Sequence, residues 1–176
     1  VAVNLLSGAS PAFSKPNTDS LRNVIQSNRP YEQRIDASIQ LVQSYQTRHF
    51  DSAIYEGDKA LQLARRHTDS IAVAELKHRM GVATYFSGKY DVAASNFYEA
   101  IAILEKDKSN RKKLAPVYND LAKLYRKTRD LDKALENYSK ASAIYSALKD
   151  TTGIAMILNE SGVVYEYKED FAEAIR

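Results

Sequence analysis

Small and bulky apolar residues recur along this chain in a helical rhythm with a long period. Four segments set an aromatic residue or leucine three positions before an alanine: Phe50-Asp-Ser-Ala53, Tyr90-Asp-Val-Ala93, Leu131-Asp-Lys-Ala134 and Phe171-Ala-Glu-Ala174. The alanines are 40, 41 and 40 residues apart. Twelve residues before each stands Leu41, Gly81, Ala122 or Gly162, and seven residues after the first three stand Ala60, Ala100 and Ala141. Self-similarity at such a period predicts stacked helical units, because one unit cannot bury its apolar face alone. A small residue in a first helix lets a second helix approach, and the alanine of the second does the same in return. Bulky residues then fill the gaps: Phe97 and Tyr138, four positions after their alanines, and Tyr45, Tyr85, Tyr125 and Tyr165 near the end of each first helix. At helical spacing such a stripe is core, so these residues carry the fold.

Helix breakers and caps sharpen the pattern. Three of the four prolines (Pro11, Pro16 and Pro30) precede residue 31, which leaves a long stretch free to be helical. The exception, Pro116, is expected to kink its helix or delay its start. Asp69-Ser70 and Asp150-Thr-Thr152 supply oxygens that cap the following helices. Asp19 or Ser20 is expected to cap a short helix over Thr18 to Ser27, whose Leu21, Val24 and Ile25 close the N-terminal end of the stack. The turns at Gly88-Lys-Tyr and Thr128-Arg-Asp interrupt any sustained heptad, which argues against a coiled coil.

The pattern resembles the tetratricopeptide family, with a small residue at position 8, an aromatic near 11, alanine at 20, an aromatic at 24 and alanine at 27. The family's usual period is about 34 residues, and the longer units here resemble its long-helix branch, as in bacterial sensor and regulator proteins. The resemblance implies an all-α, right-handed α-α superhelix of antiparallel helix hairpins. It divides the chain into an apolar leader (1–17), a capping helix and linker (18–30), three units (31–68, 69–109 and 110–149) and a fourth that breaks off (150–176). Unit 1 departs most, with Leu41 where a small residue is usual and Gly57 where an aromatic is usual. The fourth unit stops two residues short of its aromatic, which predicts that the natural chain continues.

In such arrays the first helix of each pair lines a concave groove. The resemblance then assigns to it Ser38, Val42, Tyr45 and Gln46 from unit 1, and Glu75, His78, Val82, Tyr85 and Phe86 from unit 2. Units 3 and 4 add Asn119, Lys123, Arg126 and Lys127, then Asn159, Val163, Glu166 and Tyr167. Asn119 and Asn159 share a repeat position, and a carboxamide both donates and accepts, which suits the backbone of an extended peptide. The chaperone-tail carboxylate clamp of some family members is not matched, since Ser38 and Val42 stand where it uses lysine and asparagine.

The net charge of +3 is small, but residues 106–130 hold nine Lys or Arg against three Asp, a bias that favours an acidic partner. Nucleic acid is not expected, since the basic run carries no recognised nucleic-acid-binding motif. No cofactor or metal is expected either. Cysteine is absent, His49, His67 and His78 show no ligand spacing, and there is no phosphate-cradling loop or nucleophile elbow, so an enzyme is not indicated. No apolar run reaches membrane-spanning length.

Residues 1–14 are uncharged and rich in small residues, like the tail of a secretory signal, which predicts a periplasmic or extracytoplasmic protein, with a cytoplasmic one as the alternative. The expected function is a protein- or peptide-binding scaffold, the sensing or assembly region of a larger bacterial signalling protein. The alternative is a cytosolic regulator that holds a signalling peptide. An uncapped C-terminal end is expected to support a homodimer.

Overall fold

The computed structural model describes residues 17–168, so the apolar leader (Asn17 apart) and the Phe171-to-Ala174 segment lie outside the described residues. Within them the chain forms eight α-helices: α1 (Thr18–Gln26), α2 (Tyr31–Tyr45), α3 (Phe50–Arg66), α4 (Ser70–Phe86), α5 (Tyr90–Leu104), α6 (Arg111–Lys127), α7 (Leu131–Ala147) and α8 (Thr151–Tyr167). A short 3-10 turn, Lys108–Asn110, leads into α6. Each helix packs on its neighbour in sequence, and α4 also touches both α2 and α6. That places α2, α4 and α6 side by side in an inner layer, with α1, α3, α5 and α7 in an outer one.

The repeated alanines make this packing. Ala53, Ala93, Ala100, Ala134 and Ala141 have no exposed surface, and Phe97 and Tyr138 are among the largest fully buried side chains. Gly81 shows why a small residue is needed: a β-carbon there would lie 2.6 Å from Cε1 of Phe97. Unit 1 solves the same problem differently. Leu41 is buried against Leu21 and Ala37 under α1, and Gly57 leaves room for Met80 of α4, whose Cγ and Sδ would lie 2.7 Å from an added β-carbon. Where an aromatic is absent from its own unit, the next unit's methionine fills the space.

Three aspartates punctuate the chain. The backbone N–H groups of Asp69, Asp130 and Asp150 each close the preceding helix by donating to Ala64, Tyr125 and Tyr145 at 3.0, 2.9 and 2.9 Å. Their carboxylates open the next helix by accepting from Ala72, Lys133 and Gly153 at 2.9, 3.3 and 2.9 Å. The residue before each aspartate takes a positive φ, Thr68 at 54°, Arg129 at 67° and Lys149 at 56°, the left-handed turn that ends a helix. One residue thus terminates and initiates, which keeps these connections to three residues and forces successive helices antiparallel.

Two expectations are corrected. Asn17, not Asp19 or Ser20, caps α1: its Oδ1 accepts from the Asp19 N–H at 3.0 Å, because the extended backbone at Asn17 sets it before the first turn. Pro116 does not delay α6, which begins five residues earlier at Arg111 and runs through it. Near the start of a helix proline removes a single hydrogen bond, here the one the Lys112 carbonyl would accept, and the helix absorbs the loss.

Candidate functional site

Polar side chains bridge successive helices of the inner layer and form a seam along it. His78 of α4 meets Asp120 of α6, Nε2 to Oδ2 at 2.8 Å, and the other carboxylate oxygen of Asp120 accepts from Lys123 at 3.3 Å. One unit further on, Arg126 of α6 donates to Glu160 of α8 at 3.0 Å, and the Tyr138 hydroxyl reaches the same oxygen at 3.4 Å. Adjacent units are therefore cross-linked by charge at the seam. Ionised Asp120 can only accept, so Nε2 of His78 carries the shared proton. Burial pushes the Asp120 carboxyl up, but the hydrogen bond and charge of His78 and the charge of Lys123 outweigh it and hold it below the usual carboxylate range. Burial, reinforced by the Glu160 charge, pushes the Tyr138 hydroxyl up and keeps it protonated.

Above this seam lie two adjoining hollows. One of about 340 Å³ is bounded by Tyr85, Lys123, Arg126, Lys127, Arg129 and Tyr167. The other, of about 100 Å³, is lined by Val82, Tyr85, Phe86 and Phe97 with Asp120 and Lys123 at its edge. Phe86 is 51% and Tyr167 49% exposed, large apolar surfaces presented to solvent at the mouth. The Arg129 guanidinium stacks over the Tyr167 ring at 4.6 Å from its centroid. Lys127 is exposed and has no ion-pair partner among the described residues. The hollows thus join aromatic faces to cations, two of them spent on carboxylates and two available.

The structure sorts the residues the sequence assigned to the groove. Tyr85, Phe86, Lys123, Arg126, Lys127 and Tyr167 meet around these hollows, and Val82 lines the smaller one. Ser38, Val42, His78 and Asn119 are buried, which corrects their assignment to an open surface. Ser38 donates to the Arg34 carbonyl at 2.8 Å, Val42 belongs to the core of units 1 and 2, and His78 is held by Asp120. Asn119 is buried, and its Oδ1 has no hydrogen-bond partner among the described residues. Asn159 and Glu166 are exposed and Val163 half-buried on α8, whereas Tyr45, which packs against the clusters around Leu21 and Val42, and Gln46 line neither hollow. Glu75 pairs with Lys113 of α6 at the opposite end of the α4–α6 seam.

Sequence reading missed Asp120 and Glu160, and it counted Arg129 within the basic run without assigning it to the groove. Asp120 and Glu160 occupy equivalent positions, one residue after Asn119 and Asn159, so their recurrence was visible, but that they bridge units was not. Among the described residues no group of three or more His, Cys, Asp or Glu could hold a metal ion, and no helix is long and apolar enough to cross a membrane.

Comparison with known proteins agrees with this architecture. Residues 113–176 match the tetratricopeptide repeat family. No curated protein sequence matches at a significant level. Among solved structures, BtubC from P. vanneervenii superposes with a TM-score of 0.74 at 20% identity, over 89% of this chain and 65% of its own. Aspartyl phosphate phosphatase F from Bacillus subtilis gives 0.70 at 15%, over 89% of this chain and 51% of its own. A Rap protein complexed with Competence and Sporulation Factor gives 0.64 at 17%, over 90% and 53%. This chain therefore spans about half to two thirds of the length of these structures, and at such identities the likeness is one of fold, a right-handed superhelix of helix pairs.

Proposed function

We propose that this chain, whose residues 113–176 match the tetratricopeptide repeat family, is a binding scaffold whose ligand is an extended, acidic stretch of polypeptide laid across α4, α6 and α8. One observation carries this reading: among the described residues Lys127 and Arg129 have no carboxylate partner and share a hollow with the exposed Tyr167 ring, next to the hollow that Phe86 lines, while neighbouring Lys123 and Arg126 are neutralised within the seam. Unspent cations favour acidic side chains and exposed rings favour apolar ones, so the ligand combines both. The solved complex of a Rap protein of the same fold with Competence and Sporulation Factor supports capture of a partner by this architecture.

Fluorescence anisotropy with labelled peptides tests the proposal. A peptide alternating Glu or Asp with Leu or Phe is expected to bind at least tenfold more tightly than its Lys-substituted counterpart, and Lys127→Glu with Arg129→Glu to abolish the difference. Equal affinity for both peptides would sink it. A single-stranded DNA of equal charge serves as control, since a nucleic-acid binder loses affinity steeply between about 50 and 200 mM salt.

At the level of the whole protein, our reading is the sensing or assembly region of a larger bacterial signal-transduction protein outside the cytoplasm, which the uncharged, small-residue stretch at 1–14 supports. Fractionation of tagged cells separates this from a cytosolic regulator, which would remain with the soluble cell contents. Self-association through α8 is a second reading, favoured by Leu158 at 65% and Met156 at 38% exposure. Sedimentation across a hundredfold concentration range shows whether it occurs.

A further inference from the structure

Far from the hollows over α4, α6 and α8, helices α1 and α3 diverge across α2 and leave a cleft of about 280 Å³. Its floor is apolar, formed by Ile25, Leu41, Ala60 and Leu63. Its rim carries four cations from three helices: Arg22 of α1, Arg34 of α2, and Lys59 and Arg66 of α3. One carboxylate, Glu56, faces them, so the rim holds a net charge of +3 (four cations less one carboxylate), as large as that of the whole chain.

Glu56 does not satisfy this rim. It lies 3.8 Å from Arg22 and 3.9 Å from Lys59, beyond hydrogen-bonding distance. Arg66 has no ion-pair or hydrogen-bond partner among the described residues. Arg34 is held in place because its Nε donates to the Ile25 carbonyl at 3.0 Å, which leaves its terminal nitrogens as donors. Like charges on three helices repel each other, and an ordinary surface separates them; here they surround a hollow.

We propose that this cleft binds the phosphate group of a small organic phosphate, whose organic body rests on Leu41 and its neighbours. A phosphate monoester carries about 1.5 to 2 negative charges at neutral pH and three acceptor oxygens, which matches an excess of cations converging from several directions. A single carboxylate supplies neither the charge nor the number of acceptors. The hollow, about 280 Å³, falls just below the usual range for ligand sites, about 300 to 1,000 Å³, which limits the body to one ring or a short chain. A bound phosphate draws Arg22 of α1 toward Lys59 and Arg66 of α3, so the ligand fastens the end helix to the stack. This site is separate from the peptide groove, and either can fail without the other.

Isothermal titration of the chain with phenyl phosphate tests the site, alongside inorganic phosphate and benzoate. One saturable site is expected for phenyl phosphate, with weaker binding of inorganic phosphate and none of benzoate. Lys59→Ala and Arg66→Ala, both exposed positions, are each expected to lower affinity about tenfold with the helical signal and the peptide binding unchanged. Amide exchange across 18–26 is expected to slow when phenyl phosphate is bound. The proposal is overturned by absence of saturable binding, by binding that neither substitution weakens, or by benzoate binding as tightly. Inorganic phosphate binding as tightly as the ester would remove the role given to the apolar floor.

Discussion

The ring of Phe97 occupies the space that a side chain on Gly81 would need, with Cε1 2.6 Å and Cδ1 2.7 Å from an ideal β-carbon. Phe97 is itself 1% exposed and has nowhere to retreat, so Gly81→Ala is expected to destabilise the chain by about 1–3 kcal/mol, despite alanine's better helix propensity. Gly57→Ala makes the contrast. There the obstacle is Met80, a flexible thioether that can change rotamer, and the propensity gain of about 1 kcal/mol offsets the shift. Urea denaturation of both variants checks this; equal losses would show that the two glycines play the same part.

His78 and Asp120 couple unit 2 to unit 3. Because the folded carboxyl is held below its ordinary value, its contribution to stability is present above the unfolded carboxylate range, near about pH 3.9, and is lost as pH falls through the folded value. Asp120→Asn is expected to cost about 1–3 kcal/mol at neutral pH and progressively less in acid, as the wild-type carboxyl also becomes protonated. Urea midpoints of both proteins measured at pH 7 and pH 3 give the comparison. A constant difference would mean that the pair contributes no charge.

Thr68 holds a φ of 54° at the end of α3, a conformation in which a β-branched residue is strained. Thr68→Gly is expected to stabilise by about 1 kcal/mol, the relief exceeding the added freedom of the unfolded chain. A lower thermal midpoint would show that the exposed Thr68 side chain does more than occupy a turn.

Pro116 lies inside α6 and leaves the Lys112 carbonyl without its usual donor. Pro116→Ala is expected to raise stability by about 1–2 kcal/mol, the restored hydrogen bond and helix propensity less the entropy that proline removes from the unfolded state. Thermal unfolding monitored by circular dichroism reads the change, and a fall would mean that the ring's packing outweighs the missing bond.

Phe86→Ala with Tyr167→Ala is expected to weaken acidic-peptide binding at least tenfold while the thermal midpoint stays nearly unchanged, since both rings are about half exposed. Loss of both together would make them structural rather than ligand-contacting.

The stripe of alanines, Gly81, Phe97 and Tyr138 was legible because each is a local consequence of helical spacing repeated in phase, and the capping roles of Asp69 and Asp150 were legible because the oxygen sits next to the helix it opens. Asp130 closes and opens helices in the same manner, yet its place in the Thr128-Arg-Asp turn marked it only as an interruption. The groove was half legible. The family resemblance placed His78, Asn119, Lys123 and Arg126 on inner helices, but could not tell that the first two are buried and the others neutralised.

What the amino-acid order determined alone is the unit: two helices, their small-residue contact and the aspartates between them, all set by groups within about 40 residues of one another. What only the stacked structure decided is which charges remain for a ligand. Arg126 loses its freedom to Glu160, 34 residues away, while Arg22, Arg34, Lys59 and Arg66 converge from three helices on one cleft. Coulombic pairing depends on distance through space, and that distance exists only once the units have packed.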